Sequence, residues 1–579
     1  MKVSKGVLFF LLVSLMTCKN DEASNTIASE VLLEDVIKAY ETEREYDFEP
    51  KESLDNTIEF YQKEAGFAEE LQQELSKVNE ENLTESEQIS LELLRFVLQE
   101  KIDANTFKTY LNTITSEWAF HLNLSKMAET EFEDYNDVKT YLEKLNELPK
   151  TVDYNLALLR ESIKEGMVQP KVVFGDYSFT YNKHLVEDYT QSDFYQPINT
   201  LPQSLTSKQK DSVLSVAKIS IENNVVAQYQ KIKDFFEIEY FPNSREALGI
   251  TSIPNGEAFY QNRINYFTTS NQYTAEDIHQ IGLKEVVRIK AKMQVIIDEL
   301  GFEGSFADFL AFLRTDSQFY AKTPKELMMF ARDISKRIDG ELPKYFKTLP
   351  RKPYGVVPVP AAIAPKYTGG RYSGSYDDKT AGFYWVNTYN LPSRTLYTIP
   401  ALTAHEAVPG HHLQISLNNE LGDSIPQYRR DLYLSAYGEG WGLYSEYLAD
   451  EMGIYTTPYE KFGQLTYEMW RACRLVVDTG VHALGWTRQE VLDYLASNTA
   501  LSIHEVTTET DRYISWPAQA ISYKIGEIKI RELREKAETE LQDKFDIREF
   551  HEVILGEGTV TLSIMEERVN SYIQAVNNE

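Results

Sequence analysis

Apolar residues recur every three to four positions through most of residues 31–350, a pattern that predicts helix after helix. The clearest case opens at Thr274 with Asp277 three residues on, as in a capping box. Ile278, Ile281, Val286, Ile289, Met293, Ile296 and Leu300 then form one stripe, and Gly301 ends it. Such a stripe is a core face, so His279 on this helix reads as a structural histidine. The pattern changes between Pro353 and Pro400. Residues 354–359, 382–387 and 395–399 are β-branched and aromatic runs bounded by Pro, Gly and Asn, which predict short strands. Helical periodicity resumes at Leu402 and continues to about Ser571. No linker, repeat or low-complexity run interrupts the chain after residue 30. Residues 31–579 therefore read as one large unit, with a helical scaffold over 31–350 and a small sheet plus further helices over 351–579.

The first residues follow a different logic. Two lysines precede an apolar run from Val7 to Met16, the layout of a secretory signal and too short to span a bilayer. Leu15-Met16-Thr17-Cys18 is similar to a lipoprotein processing site. It predicts a signal peptide over residues 1–17, a lipid on Cys18, and a polar tether over 18–30 that holds the folded body at the cell envelope, outside the cytoplasm. The other cysteine, Cys473, falls in a helical pattern and reads as a small buried residue. With 89 acidic against 59 basic side chains, the net charge of −30 argues against nucleic acid as a partner. It does not reveal the oligomeric state.

Three of the nine histidines lie in His405-Glu406-Ala407-Val408-Pro409-Gly410-His411-His412. In the zinc helix motif HExxH, two histidines four apart share one metal and the glutamate between them is the base. Here the fourth position is Pro409. In an unbroken helix His411 would point to another side, and His412 would lie about 10 Å further along. Proline and Gly410 should distort the helix, so Val408-Pro409 reads as a two-residue insertion. This makes His405 and His411 the expected ligands, with His412 as an alternate second ligand. A third ligand should come from a following helix or another histidine. Tyr437–Leu448 reads as such a helix, and Glu439, flanked by two glycines, is the expected ligand; Glu446, seven residues on, reads as a surface carboxylate.

The segments HEAVPGHHLQ, EGWGLYSE (439–446), RLVVDTGVHALGWT (474–487) and PAQAISYKIG (517–526) resemble, in order and spacing, the signature blocks of the bacterial domain of unknown function 885 family. Weaker similarity runs through 278–286, 309–320 and 382–390. Two departures swap one small residue for another: Gly442 stands where alanine is usual, and Ala518 where glycine is usual. The resemblance implies a mainly α, cradle-shaped, gluzincin-like zinc metallopeptidase with a small sheet beside the metal helix, and it leaves the substrate open. It also implies that Tyr523, on a late helix, stabilises the oxyanion, with His482 the second candidate.

The expected function is hydrolysis of peptide bonds at one Zn2+ per chain, in a cleft between helical lobes, with Glu406 as the base. Tyr384 and Asn387 on the sheet are candidate substrate contacts, and Arg512 is a candidate for binding a substrate carboxylate. Arg474 and Asp478 have salt-bridge spacing. Two competing readings stand beside this: a peptide-binding or scaffold lipoprotein without catalysis, and a zinc hydrolase of non-peptide amides or esters.

Overall fold

In the computed structural model, residues 32–42, 54–175, 177–361, 363–364, 367–375 and 379–578 are described. The expected signal segment, Cys18 and the expected tether lie outside them. Reciprocal capping opens many of the long helices, with a hydroxyl or carboxylate at the cap and an acid, or once Gln209, three residues later. The main helices are α1 (residues 32–42), α2 (Leu54–Leu75), α3 (Glu85–Thr106), α4 (Tyr135–Lys164), α5 (Ala275–Glu299) and α6 (Pro324–Tyr345). After the sheet come α7 (Ile399–Glu406), α8 (His411–Glu420), α9 (Ser435–Glu451) and α10 (Pro458–His482). Last are α11 (Ile503–Ser515), α12 (Ser522–Leu541), α13 (Ile547–Leu555) and α14 (Leu562–Asn578). The stripe expected on α5 is buried as read, with Thr274 and Asp277 forming the capping box. His279 is buried there against the Thr479 hydroxyl at 2.8 Å.

Two large apolar cores result. One gathers α1–α3, α9 and α12–α14; the other gathers α4, the aromatic residues of 194–240, α11 and much of α10. α5 and α10 pack along each other and feed side chains into both cores, so they are the spine that fixes one core relative to the other. A buried charge network reinforces that spine. Lys524 of α12 sits 3.0 Å from Glu285 of α5, 3.0 Å from Glu468 of α10 and 2.7 Å from Glu527. Arg288 and Arg531 complete it. Cys473 is fully buried, as expected, and burial pushes its thiol up.

The sheet has three strands, β1 (Tyr354–Pro358), β2 (Gly370–Ser373) and β3 (Gly382–Val386), in the order β1-β3-β2. β1 runs parallel and β2 antiparallel to β3. The apolar run at 395–399 is not a strand. It forms a 3-10 turn, Leu396–Thr398, that leads into α7, because Pro400 is preset for a first helical turn. Tyr384, Val386, Ile399, Leu402 and Ala407 share a small third core with α6, and this packs the sheet directly against α7.

Candidate metal centre

The helical repeat of α7 stops where the sequence breaks it. Ala407 N–H still bonds the Thr403 carbonyl, Gly410 N–H returns to the Ala404 carbonyl, and His412 N–H returns to that of Ala407, at 2.9, 2.9 and 3.0 Å. Val408–Pro409 between them is a cis peptide. α8 then starts at His411, whose ring centroid lies 4.7 Å from that of His405, at 87° to it. The Trp441 indole of α9 donates to the Pro409 carbonyl at 2.8 Å and pins this turn from below.

α9 supplies the third group. His405 Nε2 and His411 Nε2 each lie 3.4 Å from Glu439 Oε2, and the three donor atoms fall within 4.8 Å of one another. Donors about 2.0–2.2 Å from a tetrahedral zinc stand about 3.3–3.5 Å apart, so both nitrogen–oxygen distances fit a single bound ion. The charges agree with that. Glu406, Glu439 and Glu446 surround two imidazoles in a site that is largely buried, and Arg471, 3.3 Å from Glu446, is the cation paired there. Burial works against a charged His405, yet Glu439 and Glu446 raise it to about 9; burial likewise opposes ionised Glu439, but His411 and His405 hold it well below the usual carboxylate range. A buried cluster this rich in negative charge suits a divalent cation.

Glu446 is not the surface carboxylate expected. It is fully buried, and its Oε1 accepts from His405 Nδ1 at 2.8 Å, leaving Nε2 free to face Glu439. Its spacing of seven from Glu439 was the available signal, since both share a helical face. The glycines of α9 explain the tight assembly. At Gly438 a Cβ would fall 2.6 Å from the Tyr433 ring, at Gly440 2.6 Å from the Gly526 backbone of α12, and at Gly442 2.6 Å from Cε1 of His405. The exchange of alanine for Gly442 is therefore not neutral here, because His405 lies directly on that position.

Glu406 leaves the end of α7 with its Oε2 accepting from the backbone N–H of Tyr372 at 2.7 Å, at the edge of β2. Tyr433, which the sequence reading missed, donates its hydroxyl to Glu439 Oε1 at 2.9 Å. Arg371, also missed, is exposed on β2 and shares the field of Glu406, Glu439 and Tyr523: partial desolvation opposes its charge, and these groups with Tyr367 support it. Tyr523 is half-buried with the Arg474 guanidinium 4.3 Å over its ring, and its phenol lies within electrostatic range of Tyr433.

The remaining expected site residues are engaged elsewhere. His412 uses Nδ1 toward the Tyr372 hydroxyl and Nε2 toward the Lys352 carbonyl, both at 3.0 Å, and burial lowers it to about 4. His482 accepts from Ile250 N–H at 3.0 Å and donates to the Tyr513 carbonyl at 2.9 Å, which leaves no nitrogen for catalysis. Tyr384 is fully buried against Thr403, and Asn387 donates to the carbonyls of Ala364, Tyr367 and Thr368, so both build the sheet and neither is open to a substrate. Arg512 is paired with Glu509 at 3.2 Å and bonded to Gln519, so it is already satisfied. Arg474 pairs with Glu509 at 3.1 Å, not with Asp478, which instead accepts from Tyr260 and from Ala518 N–H. A cavity of about 310 Å³ lined by Phe346, Leu417, Glu420 and His551 shares no residue with the centre.

Residues 47–569 match the family described as bacterial protein of unknown function (DUF885), and the chain belongs to that family. No curated protein matches it. It is similar in structure to a "putative lipoprotein" from Colwellia psychrerythraea, with 25% identity and a TM-score of 0.81 over 96% of this chain and 98% of that one. A second, so described and of unknown function, comes from Shewanella oneidensis, with 17% identity and a TM-score of 0.63 over 94% and 98% of the two chains. No helix among the described residues is long and apolar enough to cross a membrane.

Proposed function

We propose that this chain is a zinc-dependent peptidase, attached to the cell envelope by a lipid on Cys18. The observation that carries the reading is the pair of 3.4 Å distances from the two histidine nitrogens to one oxygen of Glu439, the spacing of donors on one tetrahedral ion. His405, His411 and Glu439 would hold the zinc, and a His2Glu donor set favours that metal. When bound, zinc supplies a Lewis acid that polarises the scissile carbonyl and acidifies the attacking water.

The protein's own groups do the rest. Glu406 takes the proton of the water and passes it to the leaving amine. Its Oε2 is fixed by Tyr372 N–H, so the carboxylate cannot swing away from the end of α7. Tyr433 orients Glu439, and Tyr523, stacked on Arg474, is the phenol that donates to the developing oxyanion. β2 lies at the sheet edge next to Glu406, where an extended peptide can align as an added strand. The envelope attachment rests on the residues around Cys18 and on the lipoprotein descriptions of both structural relatives.

The test uses the chain lacking residues 1–18. About one zinc per chain by elemental analysis is expected, with loss of the metal in Glu439→Gln and retention in Glu406→Gln. A mixed peptide library should be cleaved by the parent chain and not by Glu406→Gln. Absence of zinc from the parent chain overturns the reading, and zinc without peptide cleavage moves the activity to another amide or ester.

A further inference from the structure

Among the described residues, the centre contains one cation with no carboxylate of its own. Arg471 is committed to Glu446, and Arg474 and Arg512 both to Glu509. Arg371 makes no ion pair among the described residues. Side chains alternate along β2, so the buried Tyr372 turns toward α8, where its hydroxyl meets His412, and Arg371 leaves by the opposite, open face. Its guanidinium lies 5.5 Å over the ring of Tyr367, which packs on Trp385, the residue opposite Arg371 on β3. An aromatic wall therefore holds the guanidinium in place; its one hydrogen bond to the Tyr367 phenol leaves other N–H groups for an anion.

Position gives this a meaning. Arg371 is the neighbour in sequence of the backbone N–H that fixes Glu406. In a chain of net charge −30, a cation in the field of Glu406, Glu439 and Glu117, yet with no ion pair among the described residues, is placed for an anion brought by a ligand. A peptide aligned along β2 carries one anion at a fixed place, its C-terminal carboxylate. A planar guanidinium receives that group in two-pronged fashion.

We propose that Arg371 binds the C-terminal carboxylate of the substrate, so that this peptidase removes residues from C-terminal ends. The inference rests on the proposed peptidase function. Water adds across the amide bond near that end, giving a new carboxylate on the shortened peptide and a free amine on the released piece. Arg512, the sequence candidate for this task, is excluded by its own pairing with Glu509 and Gln519.

The experiment compares one hexapeptide as the free acid and as the C-terminal amide. Cleavage is followed by mass spectrometry, and binding to Glu406→Gln, in which both peptides should survive, by calorimetry. The acid is expected to bind at least about tenfold more tightly than the amide, as for a hydrogen-bonded charge pair. Products should appear from the C-terminal end. In Glu406→Gln/Arg371→Ala the preference should disappear through weaker binding of the acid alone, and Arg371→Lys should restore part of it. Equal binding of acid and amide with Arg371 intact overturns the assignment and leaves the peptidase reading standing, as does internal cleavage of both forms at one rate. If neither peptide is bound nor cleaved, both readings fall together.

Discussion

Glu446 decides which nitrogen of His405 faces the other two donors. By accepting from Nδ1 it sets the tautomer and leaves the Nε2 lone pair toward Glu439, from a position with no access to solvent. Carboxylates in this place make the imidazole a stronger donor and are worth about 10- to 100-fold in metal affinity. Glu446→Gln should therefore weaken zinc binding by that factor in a chelator competition, with the protein still folded; unchanged affinity would reduce Glu446 to packing. The grouping of His405, His411 and Glu439 was legible in sequence because two imidazoles and a helix-breaking Pro-Gly pair are chemically distinctive within a few residues, and Glu439 stands out between two glycines on the helix that follows. Glu446, Tyr433 and Arg371 were not, since each acquires its role from a partner on another element. A carboxylate on a helix reads as solvent-facing until a buried histidine is known to stand opposite it.

At the scale of elements, the turn between α11 and α12 carries a strained residue. Ala518 has φ +65°, in the left-handed region that costs a residue with a Cβ about 1–2 kcal/mol, and its N–H is held by the buried Asp478 carboxylate at 3.1 Å. Ala518→Gly should stabilise the protein by about 1 kcal/mol, read as a higher urea midpoint at unchanged slope. A lower midpoint would show that the methyl group matters more than the backbone angle. Helices were readable because their caps and stripes are local. The sheet was readable only in part, and for a physical reason. β2 is four residues long, too short for its alternation to stand out in the sequence, and it exists by pairing with β3. The 395–399 run has strand composition, but Pro400 commits it to a helix start.

On the scale of the whole molecule, buried histidines set the response to acid. His121, His184, His482 and His551 are all buried, and burial lowers each to about 3. The unfolded chain binds their protons first, so their contribution is full above about pH 6.5 and is lost as pH falls toward 3, at about 1.4 kcal/mol per unit for each. Asp478 acts in the opposite sense. Burial raises it to about 7, so its contribution is present below its ordinary range near 4 and is lost as pH rises through 7. His412, lowered to about 4, acts with the four, and His405, held up to about 9 by its glutamates, acts with Asp478; five groups outweigh two, and stability should drop by several kcal/mol between pH 7.5 and 5. Equal urea midpoints at those two values would contradict this. The backbone contact between Gly440 and Gly526 has a further consequence, for the order in which the molecule can be made. All three donor residues have been synthesised once the ribosome passes residue 439, but the wall that α9 leans on is encoded some eighty residues later, in α12. A nascent chain that has all three donors still lacks this wall of the pocket, so on the proposed zinc reading metal capture would follow the synthesis of α12.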